Sequence, residues 1–232
     1  MVQDHLKELG HKVVRNKEKE YDVILCWGCS TRELPRQDTP TLNADVNLFD
    51  KYQSLLRFRR AGITVPSVFS IADGLDKLED IELPWYARKI YHEKGQDITV
   101  CKTEADVKAV VRGRAADFFS VYVPHRRELR LWVFGEQVFA RYHKQYAKND
   151  LFNFQRLESV SELLPDVTPE IERAAIKATK AVKMDFGAVD ILEGKDNKNY
   201  VLEVNSMPDI SSMIRVSGIR LAKLVSQWAE AQ

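Results

Sequence analysis

The sequence lacks several features that would assign it to a class at once. No apolar run approaches the roughly 20 residues of a membrane-spanning helix, and residues 1–14 contain no signal-peptide core. No long block of lysine and arginine occurs, and the formal net charge of the 232 residues is +1. We therefore expect a cytoplasmic protein whose partners include neither a membrane nor a nucleic acid.

Cysteine is scarce, and its spacing is not that of a metal centre. Cys26 and Cys29 form a C-x-x-C pair, but no second pair follows, and the 5 histidines show no paired ligand spacing. A redox motif would also need the pair to open a helix, whereas loop-forming residues follow Cys29. The pattern favours buried or incidental cysteines in a reducing compartment, with a redox or zinc protein as the weaker alternative.

What the sequence does contain is a mixture of helix and strand patterns, with 44% hydrophobic residues to fill a core. The predicted helices are residues 1–10, 47–61, 73–81, 104–112, 168–182 and 214–231. The predicted strands are residues 12–15, 21–26, 63–71, 83–90, 98–101 and 118–123. The polar stretch 145–162 is predicted to be a flexible loop. The order of elements indicates an α/β or α+β protein.

Two β-hairpins are predicted in the second half of the chain. In the first, Glu128–Phe134 and Gln137–His143 flank the two-residue turn Gly135-Glu136. Side chains alternate along a strand, so Glu128 and Arg130 share a face. A carboxylate and a guanidinium are therefore neighbours on one side of this hairpin.

The second hairpin spans residues 188–209 and turns at the polar segment 194–199. With the turn centred between Asp196 and Asn197, Asp190 lies directly opposite Glu203. By alternation, Asn205 shares the face of Glu203. The expected apolar face of the hairpin consists of Val189, Ile191, Leu202 and Val204.

Two opposed carboxylates need a neutralising group, because like charges whose Cβ atoms lie roughly 5 Å apart destabilise a sheet. A magnesium ion bound by Asp190, Glu203 and Asn205 would supply one, since carboxylate and amide oxygens suit a hard cation. An ordinary solvated hairpin face explains the same pattern, and the hairpin by itself leaves both interpretations open.

A basic strand precedes a glycine-containing turn at residues 83–101. Arg88 and Lys89 lie on this strand, and the turn follows at residues 92–96. A strand, a short glycine turn and a second strand can fold over a phosphate chain. An ordinary basic hairpin is the alternative.

Four local patterns and their order resemble the ATP-grasp fold, the group that includes D-alanine-D-alanine ligases and the ligases that add glutamate to ribosomal protein tails. They cover most of the chain after Asn43. The patterns are FDKYQSLLRFRRAGITVP, LPWYARKIYHEKGQDI, ELRLWVFGEQVFARYHK and GAVDILEGKDNKNYVLEVNSMPDI.

The resemblance implies an architecture and site residues. It implies two α+β lobes that grip ATP, at residues 71–123 (the lid) and 124–232 (with the metal site), after a shortened α/β lobe at residues 1–70. Asp190, Glu203 and Asn205 match the ligands of magnesium, expected as two ions. Residues that match nucleotide-binding positions are Lys51, Arg88, Lys89, Tyr122, Val123, Glu128 and Lys144. The expected catalytic residues are Arg130 and Arg141.

The sequence departs from the family pattern at three places. Arginine stands at Arg88 where lysine is usual, which keeps the phosphate-binding charge. Ser120 and Val121 stand where the hinge often has an acid, which would weaken selectivity for adenine. Ala188 stands where D-alanine-D-alanine ligases have arginine, which argues against that activity.

The resemblance implies a small phage- or bacterial-type ligase that joins a carboxylate to an amine, or less often a thiol, through an acyl phosphate. Its cofactors would be ATP and magnesium, and its substrates a small-molecule or peptide carboxylate and an amine acceptor. A nucleotide-binding protein of the same fold without turnover is the alternative, for which the shortened N-terminal lobe is the best argument. A second subunit could complete that lobe in a homo-oligomer.

Overall fold

The computed structural model describes residues 2–14, 22–27, 39–45, 49–73, 82–90, 98–146, 159–164, 166–206 and 215–232. At residues 144–146, 159–163 and 215–218 the backbone alone is described. No helix within these ranges is long and apolar enough to cross a membrane.

Helices and strands are mixed along the chain, as the sequence patterns predict. The helices are α1 (Val2–Glu8), α2 (Lys51–Arg60), α3 (Glu104–Arg112), α4 (Pro169–Ala181) and α5 (Arg215–Glu230). The first six strands are β1 (Ile24–Leu25), β2 (Thr41–Leu42), β3 (Val68–Ser70), β4 (Trp85–Arg88), β5 (Ile98–Cys101) and β6 (Phe118–Val121). The remaining strands are β7 (His125–Phe134), β8 (Gln137–Tyr146), β9 (Ser159–Leu163), β10 (Phe186–Gly194) and β11 (Asn199–Asn205).

The strands form two antiparallel sheets and one short parallel pair. The large sheet has the order β11-β10-β7-β8-β9, and the small sheet has the order β3-β6-β4-β5. β1 pairs with β2 in parallel. Both predicted hairpins lie in the large sheet, where β10 also pairs along its whole length with β7.

Local sequence determines where the helices begin. The Asp50 carboxylate accepts a hydrogen bond of 2.7 Å from the Gln53 backbone N–H and so caps α2. Thr103 and Asp106 form a reciprocal capping box at the start of α3. Pro169 opens α4, where the missing backbone N–H costs nothing.

Each face of the large sheet has its own core. On one face the side chains of β7, β10 and β11 pack against α2 and α4, and Leu131, Ile191 and Phe58 are fully buried there. On the other face, Trp132 and Leu221 are buried in a second core formed with α1 and α5. Because side chains alternate along β7, neighbouring residues belong to different cores.

A buried asparagine ties the start of β10 to the segment after β2. The side-chain amide of Asn43 accepts hydrogen bonds from the backbone N–H groups of Asp185 (2.7 Å) and Phe186 (3.0 Å). Its Nδ2 donates to the Phe186 carbonyl at 2.9 Å. This fixes the position of the strand on which Ala188 and Asp190 lie.

Four sequence expectations need correction. Residues 12–14 form no strand, and β3 covers a small part of the predicted strand 63–71. α2 begins at Lys51 rather than at residue 47, because Asp50 caps it. Part of the predicted loop 145–162 is strand, since β8 extends to Tyr146 and β9 begins at Ser159.

Cys26 is fully buried, in agreement with the structural interpretation of that cysteine. Cys29 lies outside the described residues, as do the glycine turn 92–96 and most of the predicted helix 73–81. The division of the chain at residues 70 and 123 stays a prediction.

Candidate nucleotide and metal site

Charged side chains from three neighbouring strands meet on one face of the large sheet. Asp190 on β10 lies between Arg130 of β7 and Glu203 of β11 in the strand register. We call these three residues the charged row. The predicted opposition of Asp190 and Glu203 is therefore confirmed, and the sheet adds a cation on the far side of Asp190.

Arg130 and Asp190 form a buried, two-pronged ion pair. Nε of Arg130 donates to Oδ1 of Asp190 at 2.7 Å, and Nη2 donates to Oδ2 at 2.8 Å. The two side chains are 11% and 3% exposed. Burial acts to lower the pKa of Arg130, but the charge and hydrogen bonds of Asp190 outweigh it and raise the pKa. The guanidinium is therefore permanently charged.

Glu203 is held by a lysine from the first turn of α2. Nζ of Lys51 lies 3.5 Å from Oε2 of Glu203, and Nδ2 of Asn205 donates to Oε1 at 3.0 Å. The cap at Asp50 places Lys51 at the helix start, next to the end of β11. Both carboxylates of the charged row therefore face nearby cations.

Arg88 on β4 has a buried donor without an acceptor. Its Nε has no hydrogen-bond partner within the described part of the chain, and its guanidinium lies 5.8 Å from the centre of the Phe118 ring. Burial lowers the pKa of Arg88, against the attraction of Glu203 and Tyr86. An unsatisfied buried donor costs free energy, so a phosphate oxygen would be a fitting acceptor.

A cavity of about 100 Å³ lies beside Arg88, between the two sheets. Its walls are mainly apolar and aromatic, and Tyr86 and Tyr122 contact each other edge to face at 5.8 Å. Burial is the main cause that raises the pKa of Tyr86, and the neighbouring Tyr122 raises it further. The lining residues are Pro66, Tyr86, Arg88, Ile98, Ser120, Val121, Tyr122, Val123, His125, Glu128, Leu192 and Leu202.

A β-bulge in the second hairpin contributes to this cavity. The pairing follows the predicted register from Ala188 to Asp190 and then shifts, so Ile191 pairs with Val201. The sequence predicts Leu202 on the apolar face with Val204. In the structure Leu202 is the extra residue of the bulge, with no residue opposite it on β10, and its side chain lines the cavity. That expectation was wrong because an inserted residue reverses the alternation of faces.

Asp190, Glu203 and Asn205 have the chemistry of a magnesium site. Two carboxylates and an amide lie on adjacent strands, and hard oxygen donors of this kind suit magnesium. The described residues contain no group of three histidine, cysteine or acidic side chains that could hold a metal, so Asn205 would have to be the third ligand.

Two of the predicted site residues, Arg141 and Lys89, make contacts away from the charged row within the described structure. Arg141 lies in register with Leu131, and its Nε donates to Glu172 of α4 at 2.7 Å, on the opposite face of the sheet. Nζ of Lys89 donates to the Arg114 carbonyl at 3.0 Å. Lys144 pairs with Glu128 in register, and its side chain lies outside the described part.

The sequence patterns missed Tyr86, Leu192 and Leu202 as cavity residues. Tyr86 could have been found, because it lies two residues before Arg88 on the same strand and so shares its face. Leu202 could not, since its position depends on the bulge.

Known proteins resemble the chain in sequence and in fold. The family model described as RimK-like ATP-grasp domain matches residues 49–229. A probable alpha-L-glutamate ligase of Stutzerimonas stutzeri (strain A1501) is 27% identical over 222 residues, which cover 89% of this chain and 73% of the relative.

Two solved structures show the same fold. A RimK domain ATP-grasp protein from Sphaerobacter thermophilus superposes with a TM-score of 0.69 at 16% identity, over 97% of this chain and 92% of that one. The ATP-grasp ligase PsnB, in complex with minimal precursor, Mg and ADP, gives a TM-score of 0.64 at 15% identity. That match covers 86% of this chain and 65% of PsnB. The mixed α+β fold expected from the sequence is confirmed.

Proposed function

The chain belongs to the RimK-like ATP-grasp family of ligases, and we propose that it joins a carboxylate to an amine through an acyl phosphate, using ATP and magnesium. The observation that carries this proposal is the buried, unsatisfied Nε of Arg88, in the wall of an apolar cavity and within the electrostatic reach of Glu203 in the charged row. An aromatic-lined slot that ends in cations suits a nucleotide with its phosphates.

The nucleotide would bind with its base in the cavity. Tyr86 and Leu202 would supply apolar surface for the base, and the Tyr122 carbonyl and Val123 N–H would bond its edge, since both residues line the cavity. Glu128 would accept hydrogen bonds from the ribose hydroxyls. Arg88 and Lys51 would then bind the phosphates, with Arg88 satisfying its buried Nε–H.

Asp190, Glu203 and Asn205 would hold magnesium, which supplies neutralisation of the phosphate charge. Ligand binding would change the partners of two cations. Arg130 now pairs with Asp190 and Lys51 with Glu203, and both side chains can turn to phosphate oxygens when the carboxylates are engaged.

In the proposed reaction, a substrate carboxylate oxygen attacks the γ-phosphorus of ATP, the bond to the β-phosphate oxygen breaks, and ADP leaves. The amine of the second substrate attacks the acyl carbon, loses a proton, and expels phosphate. Arg130 would stabilise the negative charge on the acyl oxygen and on the departing phosphate. The acyl phosphate hydrolyses in water, so we propose that the lobe expected as the lid closes over it.

Glutamate is the first amine or carboxylate to test, because the relative from Stutzerimonas stutzeri is named a probable glutamate ligase. The second substrate would be a peptide or a small molecule.

The experiment is an ADP-release assay with ATP and magnesium against paired libraries of carboxylates and amines. We expect ADP to form when both substrates are present and to fall to background when either is left out. Nucleotide-induced thermal stabilisation without ADP release from any pair would instead identify a nucleotide-binding protein without turnover.

A further inference from the structure

Among the described residues, the charged groups in and around the charged row balance one another. The described charged groups there are three cations, Lys51, Arg88 and Arg130, and three carboxylates, Glu128, Asp190 and Glu203. Within this described part of the site, a divalent metal ion arriving alone would therefore meet no excess of negative charge. It would also meet three cations that repel it.

Asp190 is the most buried of the three carboxylates. Both of its oxygens accept hydrogen bonds from one guanidinium, at 2.7 and 2.8 Å, and its side chain is 3% exposed. A metal ion that binds Asp190 must displace this two-pronged partner. Taking one member of a buried ion pair away without a replacement is strongly unfavourable.

A nucleotide changes this balance because its phosphates bring several negative charges. Arg130 can then exchange a carboxylate for phosphate oxygens and remain fully hydrogen-bonded. Asp190 becomes available at the moment when the phosphates also attract the metal. The same side chain that blocks the metal in the free protein would thus bind the nucleotide in the complex.

We propose that Arg130 is an internal counter-ion that keeps divalent metal off Asp190 until a nucleotide takes over its guanidinium. The proposal rests on the nucleotide and metal site described under the proposed function. It makes metal binding conditional on the nucleotide, so the free protein does not hold magnesium at this site. Arg130 acts here on Asp190 and is a positioning residue for the metal.

The test is the binding of Mn²⁺ to nucleotide-free protein, measured by electron paramagnetic resonance. Mn²⁺ is the probe because it accepts the same oxygen donors as magnesium. Arg130→Gln removes the charge, and we expect it to bind Mn²⁺ roughly tenfold or more tightly than the unsubstituted protein. Adding Asp190→Asn to this variant should abolish the gain.

The matched control is Arg127→Gln. Arg127 pairs with Glu193 across the same strands, β7 and β10, but Glu193 is not in the charged row. We expect its Mn²⁺ affinity to stay within about twofold of the unsubstituted protein. An equal gain in this control would show a general effect of lost positive charge and would overturn the proposal.

If Arg130→Gln does not fold, Arg130→Lys gives the answer, because one ammonium group cannot hold both carboxylate oxygens in the same way. We expect a gain of at least about threefold in Mn²⁺ affinity. Tight Mn²⁺ binding by the unsubstituted protein, or no gain in the folded variants, would contradict the proposal. Neither result depends on turnover, so the proposed ligase activity is judged separately by the ADP assay.

Discussion

The two faces of the large sheet are built from the same strands and differ by one residue of register. Leu129, Leu131 and Ile191 on one face are fully buried under α2 and α4. Arg130 and Asp190, their immediate neighbours in sequence, lie in the charged row on the other face. Alternation along the strands therefore places buried leucine and isoleucine side chains on one face and the charged pair, beside the second core, on the other.

The largest effect is expected from a substitution on the apolar face of the large sheet. Leu131→Ala should lower the free energy of unfolding by about 2–5 kcal/mol, because it leaves a cavity between β7 and the helices. ATP affinity should stay within about twofold where the variant is folded. Denaturant unfolding and calorimetry measure the two quantities.

The matched control for Leu131 is Leu9→Ala, since Leu9 is a leucine with 43% exposure. Its free energy of unfolding should change by less than about 0.5 kcal/mol. A Leu131 variant as stable as the Leu9 variant would show that the face under α2 and α4 does not hold the fold together.

A smaller effect is expected at Arg88 in the cavity wall, where a substitution should not lower the free energy of unfolding but should weaken ATP binding. Arg88→Met removes a buried charge whose Nε lacks a partner within the described chain, so the free energy of unfolding should stay the same or rise. ATP should bind about 1.5–3 kcal/mol more weakly because a charge-assisted hydrogen bond is lost.

Arg112→Met is the control for Arg88, because Arg112 is an exposed arginine in the last turn of α3. ATP affinity should not change in this variant. If Arg88→Met instead lowered stability and left ATP affinity unchanged, Arg88 would be a structural residue, and the contrast between stabilising and binding residues would fail there.

The smallest effect concerns the turn between β10 and β11. The hydroxyl of Tyr200 donates to Asp196 at 2.8 Å and, as the largest cause, lowers the pKa of that carboxyl. Because the carboxylate is favoured in the folded state, it stabilises the protein above about pH 4, the ordinary pKa of an aspartate. This contribution disappears as the pH falls through the lowered pKa of the folded state.

Tyr200→Phe should therefore raise the pKa of Asp196 towards its ordinary value, which NMR titration of the carboxyl carbon can follow. The pKa of Asp106, lowered chiefly by the backbone N–H of Thr103, serves as an internal reference and should not move. An unchanged pKa of Asp196 would mean that Tyr200 does not act on it in solution.

Much of the second hairpin could be predicted from the sequence. A turn-rich segment between two apolar runs located the hairpin, and its centre placed Asp190 opposite Glu203, as the structure confirms. The periodic patterns also gave the start of α3 at Glu104, and Pro169 marks the start of α4. These features depend on residues close to one another in the chain.

Other features depend on contacts between distant parts of the chain. The pair of Arg130 and Asp190 arises from the alignment of β7 with β10, 60 residues apart in sequence. The bulge that turns Leu202 into the cavity leaves no local sign in the sequence. Arg141 illustrates the same limit, because its partner Glu172 lies on a helix that sequence periodicity does not position.

The most direct test of the charged row is isothermal titration calorimetry of ATP binding with and without magnesium, in the double variant Asp190→Asn, Glu203→Gln. In the unsubstituted protein magnesium should strengthen ATP binding. In the double variant that dependence should disappear, because the oxygen ligands on β10 and β11 have lost their charge. Magnesium-dependent ATP binding that survives both substitutions would show that the metal binds elsewhere.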